Sequence, residues 1–110
     1  MAFWSVVKYT PKDGCLERFL TEAKRLERDV WGDKQQRLSF WLKTTTDEIV
    51  QLRASPDMES LIASQDKGLD WLDSVDHLLE KDENGSRTKA YSGFEIEELR
   101  NLGCGQFDFS

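Results

Sequence analysis

Residues 14–31, GCLERFLTEAKRLERDVW, constrain the fold more than any other stretch of the chain. Leu16, Phe19, Leu20, Ala23, Leu26 and Val30 recur at three- and four-residue steps, while Glu17, Arg18, Lys24, Arg25 and Arg28 fill the opposite side. That pattern predicts an amphipathic helix of about five turns. Its apolar stripe needs a receiving surface, because burying each large apolar side chain is worth roughly 1.5–3 kcal/mol before entropy is counted. Glu27 is the misfit, falling where the stripe calls for one more apolar residue.

The receiving surface is predicted from β-like segments on either side. Residues 3–9, FWSVVKY, read as a first strand with Phe3, Ser5, Val7 and Tyr9 on one face and Trp4, Val6 and Lys8 on the other. Residues 36–43, QRLSFWLK, read as a second, with Leu38, Phe40 and Leu42 opposite Arg37, Ser39 and Trp41. A polar connection, Thr44 to Asp47, joins it to a hairpin partner at 48–54, EIVQLRA. Ser55-Pro56 starts a short helix with Met58, Leu61 and Ile62 on its apolar side. Gly68 is expected to break that helix, and a second piece over 69–79 gathers Trp71, Leu72, Val75, Leu78 and Leu79 on one side. After an Asn84-Gly85 loop, residues 89–96 form the fourth strand, with Gly93 permitting a bulge or a close approach. The tail, 97–110, carries Leu99, Leu102, Phe107 and Phe109 and is expected to be partly docked. Strand, helix, strand, strand, helix, strand is the ferredoxin-like βαββαβ order. The expectation is one α+β domain over residues 1–110, a four-stranded antiparallel sheet with both helices on one face.

Composition narrows the partners. A formal charge of −6 disfavours phosphate backbones, and no basic stripe interleaved with aromatics is present, so no nucleic-acid partner is expected. One His and two Cys outside any C-x-x-C pair give no structural metal site. No apolar run reaches membrane-span length, and MAFWSVVKYTPK lacks the form of a signal peptide, so a cytoplasmic location with Cys15 and Cys104 as free thiols is expected.

The two sheet faces carry different expectations. With Phe3, Val7, Phe40 and Leu42 toward the helices, the far face would hold Trp4, Val6, Trp41, Val50, Leu52, Phe94 and Ile96. An apolar patch of that size marks a partner site, and a second copy of the chain is preferred over the tail as its cover. Trp4, Val6, Trp41, Phe94 and Ile96 are therefore the expected homodimer interface. Between sheet and helices, small Ser5 and Ala23 among Val7, Tyr9, Phe19, Phe40, Leu42, Leu61, Trp71 and Leu72 leave room for a small apolar molecule. Ser5 and Tyr9 would hold its polar end near the mouth.

The strand-turn-Gly14-x-x-x-x-Phe19 pattern, and a third strand running through Ser55-Pro56 into a short helix with Leu61, resemble the dimeric α+β barrel superfamily. Its best-known members are the antibiotic-biosynthesis monooxygenase-like proteins. The resemblance covers roughly residues 3 to 96. It implies two four-stranded sheets packed face to face, with a pocket in each subunit between sheet and helices. Many catalytic relatives carry Glu-x-Trp in the third strand, where Gln51 and Arg53 stand here, and a His in the second helix, where Ser64 stands. The haem-degrading branch needs an Asn at the position of Val7 and a Trp and His whose spacing Trp71 and His77 do not reproduce.

His77, the only imidazole, falls away from the apolar side beside Asp73 and reads as solvated. Cys15 opens the first helix, but Glu17 beside it opposes a reactive thiolate. No catalytic residue or cofactor is named from these patterns. Two classes remain: a binding protein for an acyl chain or aromatic ring, and a cofactor-independent monooxygenase-like enzyme acting on an apolar or polyketide-like substrate.

Overall fold

A computed structural model describes residues 3–31, 38–56 and 58–99, the side chains of residues 30, 31, 60, 61, 63 and 64 excepted. Strands β1 (Phe3–Tyr9), β2 (Leu38–Lys43), β3 (Ile49–Ser55) and β4 (Thr88–Phe94) form one antiparallel sheet in the order β2-β3-β1-β4. Helix α1 (Leu16–Arg25) runs into a π-helical segment, Leu26–Trp31. Helix α2 (Met58–Val75) ends in a 3₁₀ turn, Asp76–Leu78, and α3 (Glu97–Leu99) follows β4. This is the expected ferredoxin-like α+β arrangement. Among the described residues no helix is long and apolar enough to cross a membrane.

The stripe on α1 packs as its spacing requires. Phe19, Ala23 and Leu26 are buried, and Phe19 meets Tyr9 of β1 with ring centroids 5.1 Å apart. Gly14, at φ 79°, makes the turn that Cβ-bearing residues resist, and Cys15 occupies the N-cap without a side-chain cap bond. Trp71 of α2 completes the cluster against Tyr9 and Phe19, so both helices lie on one sheet face. Its Nε1 donates to the Glu22 carbonyl at 3.0 Å and ties the two helices together.

Helix α2 is continuous through Gly68, contrary to the expected break. A mid-helix glycine costs only about 1 kcal/mol relative to alanine, and the packed Trp71 and Val75 that follow outweigh it. Nor does Gly93 make a bulge or a close approach: the β1–β4 pairing runs unbroken past it, and a Cβ there would meet nothing within 4 Å. Gly32, which follows the first helix and reads from the sequence as its natural stop, lies outside the described residues, as do Cys104, Leu102, Phe107 and Phe109 of the tail.

Register decides which side chains face the helices. Val7 pairs with Gln51, and Gln51 with Trp41, so all three share the helix face. Trp41 stacks on Tyr9 at 5.8 Å. Phe40 and Leu42 consequently point away from the helices, 46% and 51% exposed. The expected phase of β2 is thus reversed. Both phases of LSFWLK offer large apolar side chains, so alternation alone could not choose between them. Phe94 also moves: it pairs with Phe3 on the helix face, edge to face at 5.1 Å, while Ile96 lies beyond the end of β4. The open face then consists of Leu38, Ala54, Trp4 and Gly93, then Phe40, Leu52, Val6 and Tyr91, then Leu42, Val50, Lys8 and Lys89. Its charges are gathered in one corner, where Lys8 pairs with Glu48 at 2.9 Å beside Lys89.

Candidate functional site

A sheet face that only supports helices is expected to be apolar. Here one cross-strand row beneath the helices reads Ser39, Arg53, Ser5 and Ser92, running from β2 to β4. Ser5 is buried, Ser39 and Arg53 are half-buried and Ser92 is exposed, so the row runs from the interior to the surface, and burying its inner groups is unfavourable unless they are bonded. Ser5, 7% exposed, shares a hydrogen bond with Ser92 at 3.1 Å.

Above this row lies a cavity of about 260 Å³ between the sheet, Leu26 of the π-helical segment and α2. Val7, Leu26, Leu69, Trp71 and Leu72 supply its apolar walls, and Ser5, Tyr9, Gln51, Arg53, Gln65, Thr88 and Ser92 its polar ones; Gly68 and Ala90 complete it. Tyr9, Leu26, Gln51 and Trp71 are buried and form the deep end. Gln65 and Leu69 of α2 and Ala90 and Ser92 of β4 are exposed, so the mouth opens between that helix and the β4 edge.

The deep end is held by a hydrogen-bonded chain. The Tyr9 hydroxyl donates to Gln51 Oε1 at 3.0 Å, and Gln51 Nε2 to Ser39 Oγ at a long 3.4 Å. Ser39 Oγ donates to Glu27 Oε1 at 2.8 Å, where Trp41 Nε1 also donates at 2.9 Å. The misfit of the α1 stripe is thus the acceptor on which β2 is anchored. It sits in the π-helical segment, a geometry that recurs at functional sites. Burial pushes the Tyr9 phenol well above its ordinary range; the Arg53 guanidinium pulls the other way, and Glu27 adds to the rise. Tyr9 therefore stays protonated and acts as a donor. A raised phenol stabilises the fold fully below its unfolded value, about pH 10, and that contribution is lost as pH rises beyond it. In a Tyr91→Phe background, where Tyr9 is the remaining tyrosine, phenolate absorbance is expected to develop only as the protein unfolds. Phenolate forming at ordinary alkaline pH in folded protein would contradict the burial.

Of the residues expected to line a pocket, Ser5, Val7, Tyr9, Trp71 and Leu72 are brought together here. Phe19 and Ala23 are buried beside the cavity without lining it. Phe40 and Leu42 are on the opposite face, and the Leu61 side chain lies outside the described residues. Tyr9 belongs to the deep end rather than the mouth. Sequence reasoning passed over Gln51, Arg53 and Ser92 as site residues. The available signal was in β3, where Gln51 and Arg53 follow Ile49 at two-residue steps and so share its inward face. Among the described residues no group of three or more His, Cys, Asp or Glu side chains is placed to hold a metal ion, and His77 is exposed.

Fold and cavity together define a ferredoxin-like α+β protein with a chamber between its sheet and its helices. No family model matches the sequence, and no curated protein matches it. The fold is shared with solved structures. Rv0793 from Mycobacterium tuberculosis superposes with a TM-score of 0.72 at 9% identity, over 87% of this chain and 96% of that one. A protein assigned as an antibiotic biosynthesis monooxygenase from Nitrosomonas europaea superposes with a TM-score of 0.70 at 13% identity, over 86% and 90%. A nipsnap family protein of Agrobacterium tumefaciens gives 0.60 at 14% identity, over 84% and 86%. The chain thus has the α+β fold seen in antibiotic-biosynthesis monooxygenase-like structures.

Proposed function

We propose that this chain is a small-molecule-binding protein that holds a hydrophobic ligand, an aromatic ring system or short acyl chain, in the cavity between sheet and helices. The observation that carries the reading is the polar row Arg53, Ser5 and Ser92 set beside the apolar wall of Val7, Leu26, Leu69, Trp71 and Leu72 in a cavity of about 260 Å³. Ligand sites combine an apolar wall with a few placed polar groups in this way. An apolar protein cavity of about 150 Å³ takes up benzene, so the space suits one or two fused rings.

The test is native mass spectrometry of gently purified protein, together with titration by flat aromatics and fatty acids followed through Trp fluorescence. One ligand per chain is expected. Gly68 lines the cavity from α2, and Gly68→Leu should fill it, abolishing uptake while leaving the fold as stable or stabler. Failure of every candidate to bind, or unchanged binding by Gly68→Leu, would overturn the reading.

The proposed assembly is a homodimer joined through the open sheet face, giving a face-to-face α+β barrel. Support comes from Phe40, Leu42 and Tyr91, which are 46%, 51% and 68% exposed beside Trp4, Val6, Val50 and Leu52. Contiguous apolar surface of this kind marks an interface. Sedimentation equilibrium at micromolar concentration is expected to give twice the single-chain mass.

A cofactor-independent oxygenase is the second reading, favoured by the protonated Tyr9 hydroxyl in the cavity wall and by the fold shared with the Nitrosomonas europaea protein. Oxygen uptake on adding a hydroquinone, lost in Tyr9→Phe, would select it over binding alone.

A further inference from the structure

Gln51 is 1% exposed and lines the deep end of the cavity, yet it spends only part of its hydrogen-bonding capacity on the protein. An amide side chain offers two N–H hydrogens and two oxygen lone pairs. Among the described residues Tyr9 takes one lone pair, Ser39 takes one hydrogen, and no other side chain bonds this amide. We propose that the cavity selects ligands whose apolar body carries a group that both donates and accepts a hydrogen bond, an alcohol or a carboxamide, and that Gln51 reads that group. The inference rests on the cavity being a binding site and specifies what it takes.

The direction of the hydrogen-bonded chain decides what Gln51 presents. Glu27 Oε1 receives the Trp41 indole N–H, which can only donate, so that oxygen is an acceptor. Ser39 spends its single hydrogen on the same oxygen, 2.8 Å away, and is left only to accept from Gln51. The amide nitrogen is therefore turned to Ser39 and the amide oxygen to Tyr9, whose hydroxyl hydrogen is committed to it at 3.0 Å. Two complementary groups remain for a ligand: one N–H of Gln51 to be accepted, and a lone pair on Gln51 Oε1 or on the Tyr9 oxygen to be donated to. A hydroxyl or a carboxamide meets both. A ketone meets only the N–H, and a hydrocarbon meets neither. Leaving a buried polar group unpaired costs more than a typical bond contributes, and sites built around such groups reject analogues that lack the matching atom. The apolar body would then lie against Val7, Leu26 and Leu72.

The test uses four probes of one shape, a benzene ring with a three-atom branched substituent: benzamide, 1-phenylethanol, acetophenone and cumene. Each is titrated into the unmodified protein at neutral pH and read by isothermal calorimetry. Benzamide, 1-phenylethanol or both are expected to bind about tenfold or more tightly than acetophenone, with cumene weaker again, and the arm that leads names the group. In Gln51→Met, which keeps the length of the side chain and removes its hydrogen bonding, the order should reverse, cumene binding more tightly than benzamide. A readout that needs no variant is the side-chain amide resonance of Gln51 in isotope-labelled protein, which should shift on saturation with the tighter of the two polar probes. Cumene binding as tightly as both benzamide and 1-phenylethanol in the unmodified protein, or acetophenone matching them, would overturn this inference and leave the binding site standing. A preference that survives Gln51→Met, or a Gln51 resonance that stays in place, would assign the polar group to another residue and overturn the role of Gln51. Absence of binding by all four would remove the site and this inference with it.

Discussion

A Phe40→Glu protein is expected to sediment as a folded monomer at concentrations where the unmodified chain is expected to form the proposed dimer. Phe40 lies in the middle row of the open face, between the β2 edge and Leu52, and nearly half of it is exposed in the single chain. A glutamate there remains hydrated in the monomer and costs the isolated fold little. In a two-fold dimer the same substitution buries two unpaired carboxylates within an apolar interface, at several kcal/mol each. The dissociation constant should rise by about a thousandfold or more. Circular dichroism should stay native while the sedimenting mass halves. Association unchanged from the parent would mean that this face is not the interface.

The neighbouring residue predicts the opposite outcome. Trp41→Ala should leave the association surface intact and damage the fold itself. Trp41 stacks on Tyr9, meets Phe19 and Trp71, and donates Nε1 to Glu27 at 2.9 Å. Removing a large buried aromatic typically costs 3–5 kcal/mol. Because Trp41 is only partly buried, about 3 kcal/mol is expected, a fall in Tm of roughly 12–24 °C for a domain of this size. Glu27 would also lose one of its donors, so Glu27→Gln should partly offset the loss by removing the charge left behind. Thermal unfolding followed by near-ultraviolet circular dichroism measures both. A Trp41→Ala protein as stable as the parent would restore the opposite phase of β2, with Trp41 outward and Phe40 inward.

This pair of residues shows where sequence reasoning reached its limit. In LSFWLK, Phe40 and Trp41 are adjacent, so one of them must leave the core whichever way the strand is set. Local pattern ranks them equally. The choice is made by β3, whose Gln51 pairs with Trp41 on one side and Val7 on the other. In β4, Tyr91 and Phe94 are three apart and fall on opposite faces for the same reason, and pairing with β1 sends Phe94 inward. The expected break at Gly68 failed differently: a small intrinsic cost was overruled by packing of Trp71 and Val75. For the cavity, Ser5, Val7, Tyr9, Trp71 and Leu72 were legible as inward-facing residues, whereas Gln51, Arg53 and Ser92 became site residues only through their neighbours.

The strand, helix, strand, strand, helix, strand order was legible in the sequence alone, whereas the continuity of α2 through Gly68 was not. Spacing of three and four residues in α1, β-branched and aromatic runs, and turns at Gly14 and Asn84-Gly85 are local signals, and local geometry answers to them. Glu27 was likewise visible as an anomaly. Its meaning came only from the fold, which brings Ser39 and Trp41, twelve and fourteen residues on, to the same carboxylate oxygen. Tertiary structure also decided which face of each strand is buried and which polar side chains meet in one row. The reason is that side-chain alternation specifies two sets of residues per strand but not their sign. The sign is set by pairing between segments distant in the chain, where one face must exclude water and the other is left open.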